Sequence, residues 1–219
     1  VEILNTVICT HAHEDHVGGL PSVLAVYPTQ TVLCPTKTYS SKVFDDFLYY
    51  VDQQGLEVEI PSPGDVINLG SAKVTVLGPV KSYADPNDTS IVCRVEYGGT
   101  AFLFTGDMEN EDGAETDLLE YWGDDALKAD VLKLGHHGSS TSTSYRFLRA
   151  VAPAYAVIPV GAGNEYGHPH KETLNILGQA EIYTYRTDYM GTIIAVSDGT
   201  NISFGWTKDD AAPYIPDAK

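Results

Sequence analysis

Apolar and polar positions alternate along this chain in two different periods. Short apolar runs bounded by glycine, proline or polar turn residues predict β-strands. Longer segments with apolar positions on one helical face, opened by serine or proline, predict α-helices. Strands are expected at residues 6–10, 31–34, 66–69, 73–77, 91–97, 100–105, 131–134, 155–160, 181–185, 191–196 and 201–204, and helices at residues 19–27, 41–54, 113–122, 142–151 and 170–179.

Two turns that contain glycine help to indicate the fold class. Gly70-Ser71 and Gly98-Gly99 each join two predicted strands into a hairpin, whereas predicted helices separate most of the other strands. Hairpins and crossover helices together predict an α/β protein with mixed sheets. We expect one domain over residues 1–205, followed by a loose acidic tail at residues 206–219.

The composition fits a single folded domain. With 219 residues, of which 43% are hydrophobic, the chain can bury one full core. It has no apolar run near the roughly 20 residues of a membrane-spanning helix, and no signal-peptide pattern. Since residues 1–3 already read as interior sequence, we expect the chain to begin inside a domain. Cys9, Cys34 and Cys93 lie in apolar, strand-like contexts, which favours core packing over a disulfide framework.

The net charge of −17 restricts the possible partners. Such a surface repels polyanions and offers no basic patch that could follow a phosphate backbone. This argues against tight non-specific binding of nucleic acid. It does not exclude a phosphodiester substrate, because divalent metal ions would supply positive charge locally.

A dense group of metal-binding residue types follows the first predicted strand, in the segment Thr10-His11-Ala12-His13-Glu14-Asp15-His16. His11 and His13 are two residues apart, so a chain leaving a strand can point both imidazoles the same way. Asp15 and His16 follow on the turn and can serve a second, adjacent position. Imidazole nitrogen and carboxylate oxygen suit Zn²⁺, Mn²⁺ or Fe²⁺. The segment therefore predicts a metal site.

This HxHxDH pattern resembles the signature of the metallo-β-lactamase superfamily of hydrolases. Further motifs recur in the order of one branch of that superfamily: Asn87-Asp88-Thr89-Ser90, Phe104-Thr105-Gly106-Asp107, Leu134-Gly135-His136-His137-Gly138-Ser139 and Tyr166-Gly167-His168-Pro169-His170. The branch is similar to the hydrolase domain of the DNA-uptake protein ComEC and its free-standing relatives, and the resemblance covers nearly the whole chain. It implies an αββα sandwich with mixed sheets and with metals at one edge between the two sheets.

The resemblance also implies two divalent metal ions, zinc or manganese, and most of their ligands. His11 and His13 match ligands of the first ion, and Asp15 and His16 match ligands of the second. Asp107 matches the carboxylate that bridges the two ions.

The last histidine ligand of the family matches His168, whereas His170 is expected to begin a helix. The family's third histidine on the first metal has no counterpart, since the matching region is Asn87-Asp88. Asp88 or Asn87 could supply an oxygen ligand there, which would favour a harder ion such as Mn²⁺; the alternative is an ordinary turn. The family's opening strands, which precede the HxHxDH strand, are also absent from this chain, and they normally supply an acidic residue that orients the ligands.

The paired histidines after the strand at residues 131–134 line the active site by resemblance. We expect His137 to act in catalysis, and His136, Ser139 and Asn87 to contact the substrate. The Ser139 hydroxyl could instead cap the following helix.

The activity implied by the resemblance is hydrolysis by a metal-bound hydroxide, with Asp15 orienting the attacking water. The favoured interpretation is a phosphodiesterase or nuclease that acts on DNA in competence. The alternatives are a hydrolase of the same fold for a small anionic substrate (an ester, thioester or lactam) and a non-catalytic binding domain. By resemblance the domain belongs outside the cell or at its surface, attached to or near a membrane channel. The residues themselves leave a cytoplasmic location open and do not define an oligomeric state.

Overall fold

The computed structural model describes residues 1–110 and 113–218. In these ranges the strands are β1 (Leu4–Ile8), β2 (Thr29–Leu33), β3 (Val58–Glu59), β4 (Val66–Leu69), β5 (Ala72–Gly78), β6 (Val92–Tyr97), β7 (Thr100–Phe104), β8 (Val131–Lys133), β9 (Tyr155–Ile158), β10 (Tyr183–Arg186), β11 (Ile193–Ser197) and β12 (Ile202–Trp206). The helices are α1 (Glu14–Val17), α2 (Leu20–Val26), α3 (Lys42–Gln53), α4 (Ala114–Trp122), α5 (Asp124–Leu127), α6 (Tyr145–Val151), α7 (Lys171–Gln179) and α8 (Thr187–Met190), with 3-10 turns at Asn87–Thr89 and Gly135–Gly138. None of these helices has the length and apolar character needed to cross a membrane.

Two sheets form the centre of the molecule. The smaller has the order β1-β2-β3 and is parallel. The larger has the order β10-β9-β8-β7-β6-β5-β4; its pairs are parallel from β10 to β7 and antiparallel from β7 to β4. A separate hairpin pairs β11 with β12. The predicted α/β class with mixed sheets is confirmed.

Helices pack on each sheet, which gives the expected αββα order of layers. α4, α6 and α7 place Leu118, Phe147 and Leu177 in the core of the larger sheet. α3 places Phe44 and Phe47 in the core of the smaller one. A third apolar cluster joins β2 to β5 and β6 between the sheets: Leu33, Val74, Val76, Ile91 and Cys93. All three cysteines are buried and free, as core packing predicts.

The carboxyl ends of several strands meet at one edge of the sandwich. β7, β8 and β9 are parallel to one another, so the segments that follow them leave the sheet on the same side. The segment that follows β1 reaches this edge as well, because the Ile91 amide before β6 donates to the Thr10 carbonyl at 2.8 Å. The sequence motifs after these strands therefore come together.

Glu115 on α4 anchors the segment that leads into α6. One carboxylate oxygen accepts the backbone N–H of Thr143 in a short hydrogen bond, and the other accepts that of Ser144 at 2.9 Å. Ser144 in turn caps α6 by accepting from the Phe147 amide at 3.2 Å. Burial raises the pKa of the Glu115 carboxyl to about 7. The buried carboxylate thus fixes the start of α6.

We expect Glu115→Gln to lower the free energy of unfolding by about 1–3 kcal/mol. The amide offers one acceptor where the carboxylate offers two, so one buried N–H loses its partner. Chemical denaturation at fixed pH measures the change, with Glu120→Gln on the exposed side of the same helix as the matched control. Equal denaturation midpoints for the two variants would show that the anchor contributes nothing.

Part of the predicted tail is docked on the domain. Thr184 and Tyr214 exchange two backbone hydrogen bonds of 2.8 and 3.2 Å. The Arg186 guanidinium also donates to the Tyr214 hydroxyl at 3.2 Å. The prediction of a loose tail is therefore wrong around Tyr214, while the domain boundary at residue 205 stays a prediction.

Candidate metal centre

The segment between β1 and α2 carries the first group of predicted ligands. His11 is fully buried, and His13 is half-buried at the residue before α1. Asp15 and His16 lie on α1, a helix of four residues that ends at Gly18. A Cβ atom at Gly18 would lie 2.5 Å from a carbonyl oxygen of α1, so glycine is required for the chain to turn here.

Four side chains from three segments converge on one point: Asp15, His16, Asp107 and His137. Their ligand atoms all lie within 4.8 Å of one another. His16 Nε2 is 3.0 Å from Asp107 Oδ2 and 3.2 Å from His137 Nε2, and His137 Nε2 is 3.1 Å from Asp15 Oδ2. Two imidazoles and two carboxylates form a donor set that suits Zn²⁺ or Mn²⁺. We refer to these four residues as the metal cluster.

Asp107 reaches the metal cluster from the turn that follows β7. Gly106 has a φ of +55°, and a Cβ there would lie 2.6 Å from the Ser90 hydroxyl. That hydroxyl accepts the Asp107 backbone N–H at 2.9 Å and lies 3.4 Å from His11 Nδ1. Ser90 therefore links the backbone of Asp107 to the His11 imidazole. It belongs to a motif that the sequence analysis singled out, but it was not among the predicted site residues.

The paired histidines after β8 are held in an unusual backbone conformation. His136 and His137 have φ values of 43° and 53°, in the left-handed region that non-glycine residues rarely adopt. His137 Nδ1 donates to the Pro159 carbonyl at 2.7 Å, because a carbonyl can only accept. This bond fixes the orientation of the His137 ring and directs its Nε2 toward the other three residues of the metal cluster. His137, which the sequence analysis assigned to catalysis, thus stands where a metal ligand would.

Lys133 lies behind Asp107 and is a second residue that the sequence analysis missed. Its ammonium group donates to the carbonyls of Gly106 and Leu134 at 2.6 and 3.0 Å and is 3.6 Å from Asp107 Oδ1. Burial lowers the pKa of this lysine. The signal that could have found it is a lysine that interrupts an apolar strand just before the paired histidines.

The charged groups of the metal cluster shift one another's pKa values. Hydrogen bonds to Asp107 and Asp15 raise the pKa of His137 to about 10. Hydrogen bonds from His137 and His16 lower the pKa of Asp15. Burial opposes the ionisation of Asp107, but the same two histidines still hold its pKa below the usual range. In the metal-free protein a proton therefore sits on His137 at neutral pH, and a metal ion competes with it.

An open cavity of about 650 Å³ lies over the metal cluster. Its walls come from the segments after β1, β2, β5, β7, β8 and β9: His13, Glu14, Asp15, Tyr39, Ser40, Ser41, Asn87, Asp107, His136, His137, Tyr166 and His168. A second cavity of about 400 Å³ is apolar and lies between the larger sheet and β11. Since it is lined by no histidine or acidic residue, it offers no metal-binding chemistry.

Three buried side-chain atoms at this site have no hydrogen-bond partner within the described part of the chain: His11 Nε2, Asn87 Oδ1 and Asp107 Oδ1. His11 Nε2 is 4.0 Å from the other oxygen of Asp107, and the His11 and His13 rings are 4.9 Å apart. Burial lowers the pKa of His11 to about 3, so its imidazole is neutral and can present a lone pair. A buried polar atom without a hydrogen bond is costly, and a cation bound beside such atoms would offset that cost. The residues present therefore fit a metal ion.

Asn87 and Asp88 were alternative oxygen ligands in the sequence analysis, and the structure separates them. Asn87 lines the cavity, and its Oδ1 is one of the atoms without a partner. Asp88 is buried, and its Oδ1 accepts the backbone N–H of Glu109 at 2.8 Å. Asn87 thus faces the cavity, while a carboxylate oxygen of Asp88 fastens the segment after Asp107. Which of them binds metal stays a prediction.

His136 lines the cavity but belongs to another network. Its Nδ1 lies 2.7 Å from a Glu109 carboxylate oxygen, and Thr141 donates to that same oxygen in a short hydrogen bond. The hydrogen bond from His136 lowers the pKa of Glu109. Ser139 is buried, and its hydroxyl contacts that of Thr141 at 2.8 Å and is not on the cavity wall. Glu109, which the sequence analysis missed, orients His136.

His168 lies on the cavity wall outside the metal cluster, although the resemblance implied that it is a metal ligand. Its ring is 5.4 Å from that of His136 and 6.4 Å from that of His137, on the cavity wall. It is not one of the four converging residues. His170 is the residue before α7, as expected. The role of His168 as a metal ligand therefore stays a prediction.

Comparison with known proteins places this geometry in a family. The metallo-beta-lactamase superfamily profile matches residues 4–162. ComE operon protein 3 of Bacillus subtilis (strain 168) is 34% identical over 194 residues, which are 88% of this chain and 24% of that protein. Competence protein ComA of Neisseria gonorrhoeae is 32% identical over 197 residues, which are 88% of this chain and 25% of that protein. The chain thus spans about a quarter of the length of these relatives.

Among solved structures, the metallo-beta-lactamase fold protein YhfI from Bacillus subtilis is similar in fold. It aligns with a TM-score of 0.53 at 12% identity, over 92% of this chain and 78% of that protein. The similarity supports the αββα arrangement of layers. At this sequence identity it is evidence of the fold only.

Proposed function

The chain belongs to the metallo-beta-lactamase superfamily and has the fold of its metal-dependent hydrolases, and from this premise we propose that it is a phosphodiesterase that cleaves DNA. The observation that carries the proposal is the metal cluster beneath an open cavity of about 650 Å³, a size that admits a nucleotide unit. A relative named as a competence protein supports DNA as the substrate.

Two groups of donors would share Asp107 and hold two divalent ions. The first group has two histidines and a carboxylate: His16, His137 and Asp15. The second has two histidines and an amide oxygen: His11, His13 and Asn87. Such ions, when bound, would activate a water molecule and offset negative charge on the phosphoryl group. An amide oxygen in the second group favours Mn²⁺ over a site made only of histidines.

The chain's own residues would bind and orient the substrate above these ions. His136 Nδ1 donates to Glu109, which leaves the lone pair of Nε2 to accept a hydrogen bond from a hydroxyl group or water molecule at the cavity wall. Asp15 is well exposed at the cavity and contacts His137, so it can orient the attacking water. Since the net charge is −17, phosphate recognition depends on the metal ions and these polar contacts.

For the place of action we propose the cell surface, next to a membrane channel in a longer protein. Two observations support this. The chain matches about a quarter of the length of each of two longer relatives, and one of them is named as a competence protein. Labelling of intact cells with a membrane-impermeant reagent tests this, because a cytoplasmic domain would stay unlabelled.

A panel of small substrates tests the class of reaction. Metal-stripped protein restored with Mn²⁺ or Zn²⁺ should hydrolyse bis(p-nitrophenyl) phosphate and leave p-nitrophenyl acetate, an acyl thioester and a chromogenic cephalosporin intact. Hydrolysis of an ester, thioester or lactam without phosphodiester cleavage would contradict the proposal. Metal uptake with no hydrolysis at all would identify a binding domain.

A further inference from the structure

An exposed aromatic ring stands at the mouth of the cavity with one face already stacked. Tyr166 is 78% exposed, and its ring lies 5.6 Å from that of His168 with only 24° between the planes. Both residues line the cavity over the metal cluster. The imidazole covers one face of the phenol ring, so the other face is open to a ligand.

The segment that carries Tyr166 is held in place by polar contacts. Asn164 accepts the His168 amide at 2.9 Å and donates to the His168 carbonyl at 2.8 Å, which closes the turn around Tyr166. His170 Nδ1 accepts the Ser140 amide at 2.9 Å, so its Nε2 carries the proton and donates to the Tyr166 carbonyl at 3.1 Å. Because the backbone around Tyr166 is held in this way, less backbone entropy is lost when a ligand binds to the ring.

Another segment of the cavity wall offers a second aromatic ring. Tyr39, in the segment after β2, packs edge-to-face on His13 with ring centroids 5.9 Å apart and lines the same cavity. The wall of the cavity over the metal cluster therefore contains two tyrosine rings, and binding of a phosphate group alone would require neither.

We propose that Tyr166, supported by His168, is a stacking subsite for an unpaired nucleobase next to the scissile phosphate. The inference rests on the proposed phosphodiesterase function and names the form of its substrate, a single strand. A chain with a net charge of −17 cannot follow a phosphate backbone with basic side chains. Stacking does not depend on charge, tolerates any base sequence and needs a free base face, which a paired and stacked base in a duplex lacks.

The subsite makes a specific demand on the substrate. Single-stranded oligonucleotides should be cut in preference to duplexes, with little dependence on sequence. An oligonucleotide with an abasic residue beside the scissile bond should bind more weakly than the intact one, although its phosphates are unchanged. A site that reads only phosphates would not distinguish the two.

The test compares KM and kcat of the metal-restored protein for intact and abasic single strands. Tyr166→Ala should raise KM for the intact strand about tenfold with kcat nearly unchanged, and Tyr166→Phe should restore it. The abasic strand should show the raised KM already with the unmodified protein, and Tyr166→Ala should add nothing to it. Tyr145→Ala, which removes an exposed tyrosine on α6 away from the cavity, is the matched control.

An unchanged KM in Tyr166→Ala, or an equal loss for both strands, would overturn the subsite while leaving the phosphodiesterase intact. If the unmodified protein cuts no DNA, the proposed function fails, and the subsite is then tested by binding. Tyr166→Trp supplies a fluorescent ring at this position, and its emission should be quenched by the intact strand more than by the abasic one. Equal emission with both strands would overturn the subsite in that case.

Discussion

Asp107→Asn is expected to lower kcat/KM for DNA cleavage by about a thousandfold or more. The carboxylate is buried, its Oδ2 lies 3.0 Å from His16 Nε2, and its Oδ1 has no hydrogen-bond partner among the described residues. An amide removes the charge that both donor groups share and turns N–H donors toward metal-binding nitrogens. Steady-state kinetics together with metal content by mass spectrometry measures the effect.

The matched control is Asp46→Asn, since Asp46 forms an exposed ion pair with Lys42 on α3. It removes the same charge from the chain and should leave both metal content and kcat/KM unchanged. Circular dichroism checks that both variants fold. Normal metal content and activity in Asp107→Asn would show that this carboxylate is not the bridge between the donor groups.

The second large effect separates two neighbouring histidines. His137→Gln should lower the affinity for the ion that Asp15 and His16 would hold by about 100-fold or more, because His137 Nε2 faces Asp15 and Asp107 at 3.1 and 3.4 Å. His136→Gln should leave metal affinity within about threefold and lower kcat about 100-fold, since that ring bonds Glu109 and faces the substrate cavity. Titration against a competing chelator gives the affinities.

Each of the two variants is the control for the other, because both residues have left-handed backbone conformations and half-buried side chains. General damage to this turn would affect the two variants alike. A loss of metal in His136→Gln equal to that in His137→Gln would contradict the division of roles.

Regular elements of the fold could be predicted where the local pattern was strong. The helix expected at residues 41–54 is α3 (Lys42–Gln53), and the strand expected at residues 100–105 is β7 (Thr100–Phe104). The short elements β3 (Val58–Glu59), α5 (Asp124–Leu127) and α8 (Thr187–Met190) were missed. Segments this short have no periodicity of their own and depend on the packing around them. The order of strands in the larger sheet was also beyond the local pattern.

Some residues of the site could likewise be predicted from the local sequence, and others could not. His11, His13, Asp15 and His16 could be assigned to a metal because they are adjacent in the chain and follow a strand. The contacts of Glu109, Ser90 and Lys133 could not be predicted, because each of these residues acts on one that is distant in sequence and becomes a neighbour only in the folded chain.

Backbone geometry explains why His137, and not His168, lies in the metal cluster. A left-handed turn at His136 and His137 directs the second ring at Asp15 and Asp107, whereas His168 stays 6.4 Å from that ring. The resemblance assigned His168 as a ligand, and this stays a prediction. The left-handed turn that brings His137 to Asp15 and Asp107 could not be predicted, because a positive φ at a histidine is not visible in sequence.

Metal-dependent DNA hydrolysis is measured by cleavage of end-labelled single-stranded DNA by metal-stripped protein, with Mn²⁺, Zn²⁺ or Mg²⁺ restored in parallel. Asp15→Asn serves as the inactive control, because the Asp15 side chain is 62% exposed and its replacement should not disturb folding. We expect cleavage that requires added metal and falls at least about 100-fold in Asp15→Asn. Metal-loaded protein that leaves DNA intact, or cleavage that persists in Asp15→Asn, would contradict it.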